Sequence, residues 1–430
     1  MCTWYAATSA EPAGNSGQNV GVTVHPNMPG LASYSSLDPE TVEHLYIKTD
    51  HAHVQEVDPV TLEPIRMAQH IDFNPELKGP LAAAHYQVDP VTGDMYNFNL
   101  DSRGGAMYRI FRVSATTGKT DVIATVSGPN VLTAYVHSFF ITEHFIVLCI
   151  FNAYLGWSGA KSLWTRNMLE ALYEDPTKKN QWFIIDRIHG RGVVDVFESD
   201  PFFAFHTTNA WEESSPQSEN GSCDIILELS QYEDLDILRR FYYHNMKNTS
   251  VTALDYVGKH KLRSRPQLAR WKLCNVNTAP MHPSAIPKPA ELVFKAPKRD
   301  SVELPTINPL YNLKPSRYIY GCSDRGDSAF LDGLIKFDTL TQTAIAWKVH
   351  AHSPGEAIFV PDPEGEAEDH GVLLSVVLDG NLGTSYLLVL DARTFKEIGK
   401  AVLEIPVPFG FHGTHFKLGR EVDGIPAAGT

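Results

Sequence analysis

Short apolar runs alternate with polar turns along most of the chain. Phe145-Ile146-Val147-Leu148-Cys149-Ile150 and Val372-Leu373-Leu374-Ser375-Val376-Val377 are β-rich runs of strand length, and Asn19-Val20-Gly21-Val22-Thr23-Val24 alternates as a first strand. Between such runs one turn recurs: Asp58-Pro59-Val60-Thr61, Asp89-Pro90-Val91-Thr92-Gly93, Ser114-Ala115-Thr116-Thr117-Gly118, Asp338-Thr339-Leu340-Thr341 and Asp391-Ala392-Arg393-Thr394. An Asp or Ser side chain at the start of a turn bonds backbone two residues on, Pro presets φ, and Gly accepts a positive φ. Five such turns between short strands predict antiparallel sheets joined by hairpins. The spacing is irregular, so the repeat is degenerate. A β-propeller accounts for it best, and a double-sheet sandwich is the alternative.

Two stretches break the rhythm. Residues 157–179 place Leu163, Met168, Leu169 and Leu172 near helical spacing, and residues 231–247 do the same with Leu235, Ile237, Leu238, Phe241 and Tyr242. Both read as short helices inserted between strands, capping one face and packing on the sheets. Trp157, Leu163 and Trp164 also leave room for contact with a membrane surface or substrate.

Length and composition bound the rest. With 430 residues, 43% hydrophobic and 20% charged, the chain reads as one globular domain, 1–430, with an atypical short stretch at 1–18. A net charge of −14 with no dominant basic patch argues against nucleic acid. Cys2, Cys149, Cys223, Cys274 and Cys322 are scattered, with no Cys-x-x-Cys pair. That fits a reducing, cytoplasmic setting. No apolar stretch of membrane-spanning length is present.

Four histidines sit in similar apolar, β-rich contexts. They are His85 after Ala82-Ala83-Ala84, His137 before Ser138-Phe139-Phe140, His206 after Phe202-Phe203-Ala204-Phe205, and His412 in Phe409-Gly410-Phe411-His412-Gly413. Together they read as one metal centre drawn from separate strands. Imidazole suits iron, copper, zinc and nickel. Four of them exceed the usual catalytic zinc set, and an octahedral ion would keep two open positions. Ligating histidines also need acceptors for their second N–H. Glu303 in Val302-Glu303-Leu304-Pro305 and Glu356 in Gly355-Glu356-Ala357-Ile358 stand in apolar runs where a carboxylate needs a partner. Asp50 in Ile47-Lys48-Thr49-Asp50 is a third candidate.

These motifs, in this order from about Asn19 to Phe416, resemble the carotenoid cleavage oxygenase family. Ala84-His85 ahead of Asp89-Pro90, Val136-His137-Ser138-Phe139 ahead of Thr142-Glu143, Phe205-His206 through Trp211-Glu212, and Phe411-His412-Gly413 match its four iron-binding motifs. Glu303 and Glu356 match its glutamates behind the histidines, and Asp50 stands where a third Glu is usual. The resemblance implies a seven-bladed propeller holding Fe(2+) beneath a helical dome. It implies cleavage of a conjugated C=C bond by O2 to two carbonyl products, with a small hydrophobic alkene as substrate. Lys48-Thr49-Asp50 and Leu77-Lys78-Gly79-Pro80 look like the fungal branch that cleaves stilbenes such as resveratrol. There a Lys and a Tyr hold the phenolic hydroxyl: Lys48 matches the first and Tyr5 is assigned to the second. Relative to the family the chain starts late, so a truncated N-terminal part is expected. The alternative function is an inactive propeller serving as a binding or scaffold module.

Overall fold

The structure is a computed structural model that describes residues 22–31, 41–165, 167–215, 222–246, 251–257, 262–277 and 286–418. Tyr5 and the stretch 1–18 lie outside the described residues.

The fold is all-β and propeller-type. Six sheets of four or five strands carry the described chain, antiparallel except where Lys288–Pro289 adds to Gly192–Ser199 in parallel, and each runs mostly in chain order as a meander, which is how a propeller blade is built. Strands close to the start of a sheet are buried on both faces: Phe145–Ile150 and Asn180–Asp186 are covered along nearly their whole length. Last strands such as Glu291–Lys295 and Glu397–Val402 are largely exposed and carry the charges. The apolar gradient across each sheet follows from this pairing, since only the early strands need to exclude water.

The chain divides into two compact units. In the first, residues 22–131 with 412–418, Thr23–Pro26, Leu45–Lys48, His53–Val57 and Pro64–Gln69 form one sheet. Gln87–Val88, Met95–Asp101, Met107–Val113 and Thr120–Ser127 form the next. Met28, Tyr46, Val54, Leu77, Met95, Phe111 and Val113 make its core. The second unit, residues 132–411, holds the other four sheets. One of its cores runs from Leu304 and Tyr320 through Leu373, Leu388 and Phe395.

The seven blades implied by the resemblance are not met among the described residues: six are. The strands left over form two-stranded ladders, Tyr154–Leu155 with Leu172–Tyr173 and, in parallel, Thr41–Val42 with Lys417–Leu418. Two paired dipeptides are too short to bury a face of their own.

The helical insertions are present but shorter than their sequence windows. The first consists of Gly156–Gly159, Ala160–Thr165 and Met168–Ala171, the second of Asp236–Arg240 and Tyr243–Met246. Trp157 and Trp164 are 68% and 81% exposed, so these two rings do not pack on the sheets as expected. Among the described residues no helix is long and apolar enough to cross a membrane.

Candidate metal centre

The candidate residues ride at the entrances of successive sheets. His206 lies in Phe203–Ser214, the first strand of its sheet, and Glu303 opens Glu303–Thr306, the first strand of the next. His137 precedes Phe140–Ile141, and His85 precedes Gln87–Val88. Around His206 the pairing with Cys223–Tyr232 slips twice, between Ala204 and Thr207 and again before Asn209. Such bulges re-aim a side chain that regular alternation would point elsewhere.

Within residues 132–411, Ser138 ties two histidine segments together. Its hydroxyl donates to the Phe205 carbonyl at 2.6 Å and accepts from the Thr207 N–H at 2.9 Å. It therefore grips both neighbours of His206 while adjoining His137. The two imidazoles lie edge to face, with centroids 5.2 Å apart and planes at 76°. Both rings are buried. Phe205 shields them, its ring 5.8 Å from that of His137 and 6.0 Å from that of His206.

Behind His206 stands the Glu303 carboxylate. His206 Nδ1 bonds Glu303 Oε1, the Tyr232 hydroxyl donates to Oε2, and the Leu304 N–H donates to Oε1 at 2.9 Å. Burial pushes the Glu303 carboxyl up, but the His206 and Tyr232 contacts outweigh it and hold the group below the usual carboxylate range. Tyr232 itself is driven well above the usual phenol range, by burial first and then by Glu303. An ionised Glu303 keeps the proton on His206 Nδ1 and leaves a lone pair on Nε2, the tautomer a metal ligand needs. For His137 the Nδ1 partner is the Tyr135 hydroxyl at 3.0 Å. Neither tyrosine is singled out by sequence, because a Tyr in a strand is ordinary.

Within the unit of residues 22–131 and 412–418, His85 and His412 meet across 327 positions, their Nε2 atoms 3.1 Å apart. The ring centroids are 4.3 Å apart and the planes cross at 82°. A linear N–H···N bond would line up the two rings and separate the centroids much further than the nitrogens. Instead the nitrogens converge from nearly perpendicular rings. Two imidazole nitrogens at right angles on a metal, each at about 2.1 Å, would be about 3.0 Å apart. The pair fits adjacent ligands of one ion.

The remaining candidates divide. The Asp50 carboxylate accepts the Ala84 N–H at 3.3 Å, beside His85. Glu356 is fixed through its backbone, its N–H donating to the Gly410 carbonyl at 3.0 Å. The glycine that permits this approach is Gly355, where a Cβ would stand 2.7 Å from the Gly410 oxygen; a Cβ on Gly410 itself would meet nothing. Lys48 is fully buried: its Nζ donates to the Ala83 carbonyl at 3.2 Å and lies 4.8 Å from the Tyr86 ring centre. Burial brings it down to about 7, against the pull of Asp50. His25 adds a feature that sequence reading missed, its ring 4.0 Å from that of Tyr86.

The model of the retinal pigment epithelial membrane protein family matches residues 7–417. A carotenoid dioxygenase of Neurospora crassa is 38% identical over 95% of this chain and 71% of its own length. A torulene dioxygenase of Fusarium fujikuroi is 38% identical over 86% of this chain and 65% of its own. The rat beta,beta-carotene 15,15'-dioxygenase is 27% identical over 86% and 68%. The chain thus spans about two thirds of these relatives. Among solved structures, a cobalt-substituted Synechocystis ACO superposes with a TM-score of 0.64 at 22% identity, covering 93% of this chain and 75% of that one, a likeness of fold. With one family model spanning nearly all of it and fungal dioxygenases 38% identical to it, the chain belongs to the retinal pigment epithelial membrane protein family, the carotenoid oxygenases.

Proposed function

We propose that this chain is a non-haem Fe(2+) dioxygenase that splits a conjugated C=C bond of a carotenoid or apocarotenoid, one oxygen atom of O2 going to each carbon to give two carbonyl products. His85, His137, His206 and His412 hold the iron. Ferrous iron, when bound, supplies the electrons through which O2 is activated. The observation that carries the reading is the His85–His412 pair, two perpendicular rings with nitrogens at the separation of adjacent ligands. The second pair supports it: His137 and His206 are buried, shielded by Phe205 and braced behind by Tyr135 and Glu303. Glu303, and in the same role Glu356 and Asp50, orient imidazoles and fix their tautomers. Phe205 excludes water, so that reactive species meet substrate in preference to solvent.

A hydroxylated stilbene is the second reading, favoured by Lys48. A buried, desolvated amine is a strong hydrogen-bond partner for a phenol, and burial is what the structure gives Lys48. Tyr5 would share that role.

The test is incubation of iron-loaded protein under air with a β-apocarotenal and with resveratrol, products being read by mass spectrometry. Paired carbonyl products from the apocarotenal are expected. Protein carrying its iron but turning over neither compound would overturn the reading. Lys48→Met separates the two substrates: a stilbene-cleaving site loses resveratrol turnover and keeps the apocarotenal, whereas equal losses remove Lys48 from substrate binding.

A further inference from the structure

The short helix Asp236–Arg240 ends in a buried arginine, 2% exposed. A charge taken out of water must be matched closely to be tolerated. Among the described residues the Arg240 guanidinium donates to one loop, residues 324–330. Nη1 bonds the fully buried Asp324 carboxylate, Nε donates to the Ala329 carbonyl at 2.7 Å, and Nη2 donates to the Phe330 carbonyl at 3.4 Å. Asp324 is anchored in turn, its N–H donating to Ser301 Oγ at 2.8 Å. Arg240 therefore pins two aromatic side chains at once: Phe241, its neighbour in sequence, and Phe330, whose own carbonyl it holds.

Those two rings continue a run that starts at the histidines. Phe205, against His137 and His206, meets Phe241 at 5.7 Å. Phe241 meets Phe330 at 5.8 Å, and Phe330 meets Phe409 at 4.9 Å edge to face. Phe205 is buried, whereas Phe241, Phe330 and Phe409 are only partly covered. Rings held this firmly by a buried ion pair, yet left with open apolar surface, have more than their own packing to serve. A flat conjugated chain offers the matching apolar and π surface.

We propose that Arg240 is a positioning residue for substrate: by clamping Phe241 and Phe330 it fixes an aromatic wall leading away from His137 and His206, and that wall sets where along an extended polyene the histidine-bound centre acts. This rests on the oxygenase reading of those histidines. The guanidinium fork matters more than the charge, since it reaches a carboxylate and two carbonyls together. Lysine at this position keeps the charge opposite Asp324 and loses the fork.

The experiment measures binding of a β-apocarotenal without oxygen, by quenching of tryptophan fluorescence, in wild type, Phe241→Leu, Arg240→Lys and the double variant. The position of cleavage under air and the iron content are read alongside. Phe241→Leu and Arg240→Lys should each weaken binding about tenfold and shift the cleaved bond, with iron unchanged. The double variant should be little worse than either single one, because one residue acts through the other. Unchanged binding and cleavage position in Phe241→Leu, whose clamp is intact, overturns the proposal even where Arg240→Lys fails to fold. So do a lower melting temperature in Arg240→Lys with wild-type binding, additive losses in the double variant, and a wild type that binds no polyene. Wild type that binds the polyene and never cleaves it, with the variants weakened as stated, refutes the oxygenase reading and leaves the wall standing.

Discussion

Glu303 has three donors converging on two oxygens: His206, the Tyr232 hydroxyl and the Leu304 N–H. Tyr232→Phe removes one while leaving the ring. Groups behind a metal ligand typically tune affinity by about 10–100-fold, so this variant should bind iron at least tenfold more weakly in a chelator competition while its far-UV circular dichroism is unchanged. Lys48 gives a second prediction. Its folded value of about 7 lies below the ordinary 10.5 because burial disfavours the charge. Between those two pH values the unfolded chain keeps a proton that the folded chain sheds, so this residue makes stability rise with pH by up to about 1.4 kcal/mol per pH unit. Below pH 7 both states are protonated, and the cost of the buried charge is complete. Lys48→Met should therefore flatten the stability profile from pH 7 to 10.5 and be the more stable protein at pH 7, as urea unfolding across pH would read. A parallel profile would mean that Lys48 keeps its charge in place. At this scale the sequence is legible where chemistry is out of place. A His or Glu in an apolar strand announces itself, whereas Tyr135, Tyr232 and Ser138 have ordinary neighbours, and their roles depend on contacts made from distant strands.

Turns are the element that a sequence shows best. All five acidic or Ser-led turns are closed by their first side chain. Three bond two residues on as expected: Asp58 Oδ1 accepts the N–H of Val60 at 2.8 Å, Asp89 that of Val91 at 2.8 Å and Asp338 that of Leu340 at 3.0 Å. The other two reach three residues on, Asp391 to the N–H of Thr394 at 2.6 Å and Ser114 Oγ to that of Thr117 at 3.3 Å. A sixth, led by Asp379 onto Asn381 at 2.9 Å, is hidden because it lacks the threonine. Each turn puts the residue four places on at positive φ: Gly93, Gly118 and Gly383 in three cases, Leu62, Gln342 and Phe395 in the others. Leu62 is 64% exposed, so its side chain contributes little in return for a φ of 60°. Leu62→Gly should stabilise by about 1 kcal/mol, seen as a higher urea midpoint at unchanged slope; a lower midpoint would show that the leucine earns its place through packing. Sheet count, by contrast, is not local. Strand-like runs show where hairpins lie, but how many hairpins make a sheet depends on pairings of buried edges, and among the described residues there are six blades where the resemblance implies seven.

At the scale of the whole molecule, the proposed chemistry depends on residues that local sequence cannot join. His85 and His412 belong to one unit, and His137 and His206 to the other. Their shared apolar setting is visible in the chain, and so is the family they match. That they serve one ion is the central claim. Iron analysis of purified protein, wild type beside His85→Ala, His137→Ala, His206→Ala and His412→Ala, tests it most directly. The expected result is about one iron per wild-type chain and background iron in every variant, with circular dichroism showing each still folded. Full iron in a folded variant of either pair, or none in the wild type after anaerobic loading with ferrous iron, would contradict it.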